Sequence, residues 1–216
     1  MKRELLTSAI AVVVFTILFG IAFPLVVTGI GQVAFHDKAN GSLVKVNGKV
    51  VGSKLIGQDF RRQATGKNGK PAVDKDGNPI MVPVVRYFQE RPSTGTSYAA
   101  DASAFTNLGP NSKTARDTFK SNLASYLQLE KRYVPGLTAA RVPIDAVTSS
   151  ASGIDPQISQ ANAHIQARRI ATVRRLPLAT VNKLIDDHTD GRFLGVFGEP
   201  GVNVLELNLA LDGKKG

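Results

Sequence analysis

The sequence predicts an α+β protein, with a single N-terminal transmembrane helix followed by one mixed α/β extracytoplasmic domain. Three observations predict it. Leu5 to Val27, LLTSAIAVVVFTILFGIAFPLVV, is 23 residues without Asp, Glu, Lys, Arg or His. Beyond it, β-favouring runs flank Asn47-Gly48, a pair suited to a tight hairpin turn. Further on, helical spacing of apolar residues appears within Thr114 to Lys131 and again after Pro177.

The apolar stretch would reach about 34 Å as a helix, enough to cross a hydrocarbon core of roughly 30 Å. Thr7, Ser8 and Thr16 are tolerated inside it because a hydroxyl can bond the carbonyl one turn back. Pro24 removes one backbone bond near the far end, where a span can bend. A cleaved signal peptide has an apolar core of about 7–15 residues and a small-x-small cleavage site. This core is longer, and no Ala-x-Ala follows it. A buried helix of a soluble core is usually shorter and carries a polar face. Lys2 and Arg3 directly precede the span and favour a cytoplasmic N-terminus. The expected organisation is a cytoplasmic segment 1–4, a span 5–27, a connector 28–41 and an α+β domain 42–216 outside the cytoplasm.

The chain carries 27 Lys and Arg against 17 Asp and Glu, and residues 37–216 hold 25 and 16 of these. Such a basic domain suits an anionic lipid or acidic protein surface. With the domain outside the cytoplasm, nucleic acid is the least favoured partner. The absence of cysteine excludes disulfides, thiolate metal sites and a cysteine nucleophile.

Taken in order, Leu43 to Val46 and Lys49 to Ile56 form the hairpin around Asn47-Gly48. Residues 61–85, rich in Gly, Lys, Asn and Pro, read as an exposed insertion with a second turn at Asp76-Gly77. Tyr87 to Pro110 is turn-rich. In the first soluble helix, Phe119, Leu123, Tyr126 and Leu127 share a face. Val142, Ile144 and Ala146 alternate with polar neighbours, as in a half-buried strand. Asp155 and Pro156 suit the cap and first position of a helix running to about Arg174. Pro177 opens another, with Leu178, Val181, Leu184, Ile185 and His188 on one side and Gly191 as its stop. Residues 202–211 place Leu205, Leu207, Leu209 and Leu211 on one face of a predicted strand.

Motifs for catalysis are missing. His36, His164 and His188 lie far apart and show no ligand spacing. The DKDGN run at 74–78 has glycine at the wrong position for a calcium loop and Val85 where a bidentate Glu is needed, so it reads as a turn. GxxxxGK[ST], GxSxG and DKTGT are absent. Asp186 and Asp187 are adjacent on a helix and point in different directions. The chain is expected to hold no metal, no catalytic residue and no cofactor of its own.

Five stretches in order carry a resemblance: GKVVGSKLIGQDF at 48–60, YFQERPS at 87–93, NLGP at 107–110, VPIDAVTSSASGIDPQIS at 142–159 and HTDGRFLGVFGEPGVNVLELNLALD at 188–212. With the N-terminal span they resemble the KdpC family, the small accessory subunit of the bacterial Kdp potassium-transporting P-type ATPase. The sequence departs from that pattern in the insertion at 61–85, at Ser103 to Thr106, and at Gln157 and Gln160, where His and Pro are usual.

The resemblance implies a non-catalytic subunit in the bacterial cell membrane. Its partners would be a channel-like potassium-binding subunit, an ATP-hydrolysing subunit and a small membrane peptide. It also implies a catalytic chaperone that raises the pump's affinity for ATP, with ATP and potassium belonging to the complex. The candidate contact residues are Arg91, Ser93, Asn107, Asp155, Asn203 and Glu206, for which turn and cap chemistry is the alternative role. Ala9, Ala11, Gly20, Ala22 and Gly29 offer small surfaces for helix packing in the membrane. The competing class is an anchored envelope enzyme or cell-wall binder, which would purify alone.

Overall fold

The computed structural model describes residues 2–66, 68–93, 103 and 106–213. Most of the turn-rich run between Pro92 and Asn107 therefore lies outside the described residues. The chain divides into two compact units, Met1–Ser53 and Lys54–Gly216.

In the first unit, α1 (Lys2–Phe15) and α2 (Phe23–Ala34) are joined by wider π-type turns over Thr16–Ala22. Pro24 accounts for the widening. It has no N–H for the carbonyl four residues back, at Gly20, and its ring crowds that carbonyl. The Phe23 N–H accordingly reaches Leu18 O, five residues back. Helix continues over Lys2–Ala34, past the expected end at Val27 into the stretch expected to be a connector, because nothing between Val27 and Ala34 stops it. Phe35 leaves helical geometry at φ −138°, and α3 (His36–Ala39) follows. Gln32 and Asn40 exchange amide hydrogen bonds at 3.3 and 3.0 Å across that break. The hairpin forms as the Asn-Gly pair dictates: β1 (Leu43–Val46) pairs antiparallel with β2 (Lys49–Ser53), with Asn47 and Gly48 at φ 50° and 78°.

The second unit begins with the insertion. Its β3 (Arg61–Gln63) and β4 (Met81–Pro83) pair antiparallel. Between them the chain turns at Gly69 and again at Gly77, both with positive φ. The DKDGN run is a side-chain-braced turn: Asp74 Oδ1 accepts the N–H groups of Asp76 and Asn78 at 2.9 and 2.8 Å. The first soluble helix, α4 (Lys113–Glu130), starts where Ser112 Oγ accepts the Ala115 N–H at 3.3 Å.

Three expectations are corrected. The strand expected at 142–146 holds instead a 3₁₀ turn, Ile144–Ala146, which follows another at Ala139–Arg141. Pro143 has no ladder donor, and the alternation does not mark one face: Ile144 is 65% exposed while Asp145 is buried. Asp155 does not cap a helix. Its Oδ1 accepts the Gln157 N–H at 3.0 Å, and the chain first forms β5 (Gln157–Ile158). The cap is Ser159, whose Oγ accepts the Asn162 N–H at 3.1 Å and starts α5 (Gln160–Arg174). The strand expected at 202–211 is β7 (Gly201–Asn203) followed at once by α7 (Val204–Asp212). The alternating leucines satisfy two periods, because Val204, Leu207, Asn208 and Leu211 also follow helical spacing and all four are buried. Asn203 Oδ1, accepting the Glu206 N–H at 3.1 Å, decides for the helix.

Pro177 precedes α6 (Leu178–Asp187) as expected, with Val181, Leu184 and Ile185 buried. The helix stops at His188, earlier than Gly191, because β6 (Thr189–Asp190) joins β7. The sheet order is β5-β7-β6, all antiparallel. Against it α5, α6 and α7 enclose a core of Phe88, Ile158, Ala163, Ala167, Ile170, Val181, Ile185, Val202, Val204, Leu207 and Leu211.

Candidate functional site

The centre of the second unit is residues 85–91, a segment carrying the YFQER sequence that turns at 85–87 and, among the described residues, pairs with no strand. Buried side chains stand in for one. Asn208 on α7 accepts the Phe88 N–H at 2.9 Å and donates to the Phe88 carbonyl at 3.0 Å. Gln166 on α5 repeats the arrangement one residue on, accepting the Gln89 N–H at 2.7 Å and donating to its carbonyl at 3.0 Å. Arg169, fully buried, donates to the carbonyls of Val85 and Tyr87, to Gln166 Oε1 and to Glu130 Oε1 at 2.8 Å. A buried backbone must find partners, and here three side chains supply them.

The network extends outward. Asn162 Oδ1 accepts from Gln166 and from the Tyr126 hydroxyl, and Asn162 Nδ2 donates to Asp145 at 3.0 Å. Asp145 also accepts the Ser159 N–H and hydroxyl at 2.9 and 2.8 Å. Burial pushes the Glu130 carboxyl above the ordinary range, with Arg169 pulling the other way. Burial also pushes the Tyr126 hydroxyl up, and the negative charge of Glu130 adds to it. Tyr87 donates its hydroxyl to Asp212 at 2.9 Å and lies within 5.1 Å of the Arg174 guanidinium, so that α7 is tied to the same segment.

Beside this segment a cavity of about 260 Å³ is lined by Gln58 to Arg61, Glu90 to Ser93 and the Asn122, Ser125 and Tyr126 face of α4. Arg61 pairs with Asp59 at 2.8 Å. Glu90 differs: its Oε1 meets the Gln58 N–H at 3.4 Å, and among the described residues its enclosed Oε2 has no hydrogen-bond partner. Burial pushes this carboxyl well above the usual carboxylate range, the Gln58 N–H offsets part of that, and the nearby Asp155 charge adds to it.

The sequence candidates fall into pairs rather than one centre. Arg91 pairs with Asp155 at 3.1 Å and donates to the Ser149 carbonyl at 3.1 Å, which fastens the loop before β5. Asn203 caps α7 and, with Glu206, holds the chain that approaches it, Asn203 Nδ2 donating to the Lys54 carbonyl at 2.9 Å and Glu206 pairing with Lys54 Nζ at 2.6 Å. Ser93 lines the cavity. Asn107 is exposed, and among the described residues no hydrogen bond or ion pair joins it to the others. Ala9, Ala11, Gly20, Ala22 and Gly29 lie on the apolar helix, where a Cβ at Gly29 would meet nothing within 4 Å. The π-type turns over Thr16–Ala22 rotate the faces on either side, so these five do not follow one α-helical stripe.

Sequence reasoning missed Asn208, Gln166, Arg169, Glu130 and Glu90. A signal existed for α5: Asn162, Gln166 and Arg169 recur at helical spacing on the face that also holds Ala163, Ala167 and Ile170. Polar residues on an apolar face announce buried hydrogen bonding.

Fold and site define a class of protein. Among the described residues it has one helix, Lys2–Ala34, long and apolar enough to cross a membrane, and a mixed α/β domain whose buried polar groups hold its own chain. The chain belongs to the KdpC family. The family model described as "KdpC: K+-transporting ATPase, c chain" matches residues 5–213. A potassium-transporting ATPase KdpC subunit of Koribacter versatilis is 42% identical over 99% of this chain and 96% of its own. The subunit of that name from Mycobacterium bovis is 42% identical over 98% of this chain and 99% of its own, and that of Caldanaerobacter subterraneus is 39% identical over 98% and 95%.

Proposed function

We propose that this chain is the non-catalytic accessory subunit of an ATP-driven potassium-uptake complex. One observation carries the reading: the family match runs through the apolar helix and the whole α/β domain. Its partners are a channel-like potassium-binding subunit, an ATP-hydrolysing subunit and a small membrane peptide. ATP hydrolysis and the potassium path belong to those partners, since a single span cannot enclose an ion path. The apolar helix packs beside partner helices through the small residues Ala9, Ala11, Gly20, Ala22 and Gly29, on more than one of its faces, and the exposed Asn107 is available for contact outside the membrane.

Lys2 and Arg3 favour an N-terminus in the cytoplasm and a domain outside it. On that topology the domain does not touch ATP, and any rise in the pump's ATP affinity passes through the partner subunits. Removing residues 54–216 should abolish potassium-dependent ATP hydrolysis by the complex; unchanged hydrolysis would refute the accessory role. For the topology, a lone cysteine replaces the exposed Asn68, as Asn68→Cys. Labelling in intact cells by a maleimide that cannot cross the membrane supports an outside domain, and labelling only after the membrane is opened reverses it.

A further inference from the structure

Among the described residues Glu90 forms no ion pair, whereas the other charged side chains lining the cavity beside it are matched within the protein. Arg61 gives Asp59 two hydrogen bonds of 2.8 Å, and Arg91 pairs with Asp155 at 3.1 Å. Glu90 also keeps its enclosed Oε2 without a hydrogen-bond partner among these residues. A buried carboxylate in that state must gain either a proton or a cation. The backbone beside it is fixed, since Gln166 accepts the Gln89 N–H at 2.7 Å and donates to the Gln89 carbonyl at 3.0 Å. A carboxyl group presented from a clamped backbone loses little freedom when a ligand meets it.

The rest of the lining has its own chemistry. Asn122 on α4 commits its Nδ2 to the Val147 carbonyl at 3.0 Å, which leaves its amide oxygen as a second acceptor. Phe60, Met81, Pro83 and Leu129 supply apolar wall. The space, about 260 Å³, is several times the roughly 30 Å³ of one water and below the roughly 300–1,000 Å³ of drug-sized sites. We propose that this cavity binds a small organic ammonium ion with an apolar body, whose N–H groups donate to Glu90 Oε2 and to the Asn122 amide oxygen. The assignment goes beyond the accessory-subunit reading and does not depend on it. A hard metal cation suits the cavity less well, because it takes six or more oxygen ligands and no group of three or more His, Asp or Glu gathers among the described residues.

Burial holds the Glu90 carboxyl protonated, the Gln58 N–H opposes this in part, and the Asp155 charge adds to it. The other ionisable groups at the cavity are Asp59 and Arg61, Arg91, and Tyr126 on α4, whose hydroxyl is engaged by Asn162. A bound ammonium ion therefore displaces the Glu90 proton, and binding tightens as pH rises.

The test is calorimetric titration of the full chain in mild detergent with benzylamine, which is a cation at neutral pH, and with benzyl alcohol, which has the same body and no charge. Benzylamine should bind at least about tenfold more tightly than the alcohol. Its affinity should rise from pH 6 to pH 8, with a proton released to the buffer. Glu90→Gln, which keeps the side-chain shape, should lose both the preference for the amine and the proton release. Equal binding of amine and alcohol, an amine affinity unchanged in Glu90→Gln, or no binding of benzylamine at about 1 mM would overturn the assignment. Displacement of benzylamine by an equal concentration of potassium ion, but not of sodium ion, would overturn it as well. The accessory role is tested separately, by potassium-dependent ATP hydrolysis, and stands or falls without this site.

Discussion

Replacing Asn208 by leucine removes both hydrogen bonds that hold Phe88 in place and keeps the branched side-chain shape. Asn208 is 2% exposed and Phe88 fully buried, so the freed N–H and carbonyl find no water. Each buried backbone group left unpaired costs about 1–3 kcal/mol. The added apolar surface returns on the order of 1 kcal/mol. A net loss of about 3 kcal/mol is expected. For a domain of this size 1 kcal/mol shifts Tm by about 2–4 °C, so the midpoint should fall by roughly 6–12 °C. Calorimetry of the full chain in mild detergent reads this, because the apolar helix stays folded there and the transition reports the α/β unit. Amide exchange at Phe88 should quicken in the same variant. A midpoint within about 2 °C of the parent would refute the view that side-chain amides substitute for a strand partner.

Glu90 predicts a pH dependence. Its folded-state pKa is raised above the unfolded value, so the folded form binds more protons and stability is lost as pH rises through the folded pKa. The parent's Tm should therefore fall from pH 5 toward pH 8. Glu90→Gln should flatten that slope and raise Tm at pH 8; an unchanged slope would remove Glu90 as its source. Arg169→Met leaves Glu130 buried without its cation, at a cost of about 3–5 kcal/mol. Adding Glu130→Gln should recover part of the loss in urea unfolding, and strictly additive losses would show that the two side chains are not coupled.

What the sequence determined by itself were the features set by local chemistry. The uncharged run Leu5–Val27 announced the apolar helix, Asn47-Gly48 announced its turn, and Pro177 announced the start of α6, because each depends on a residue's own geometry or on a short repeat. Boundaries and choices between periods were decided by contacts distant in sequence. Asp155 and Pro156 looked like a helix start, but pairing of Gln157 and Ile158 with Val202 and Asn203 made that stretch a strand and moved the start to Ser159. The leucines of 205–211 fitted strand and helix alike until Asn203 capped the helix and Asn208 turned inward to Phe88. The site followed the same division. Arg91 and Asp155, 64 residues apart, were each visible as motif residues, and only the fold made them partners. The clamp on residues 85–89 could not be read in the sequence, because Gln166, Arg169 and Asn208 acquire their roles only when helices 77 to 120 residues away close over that segment.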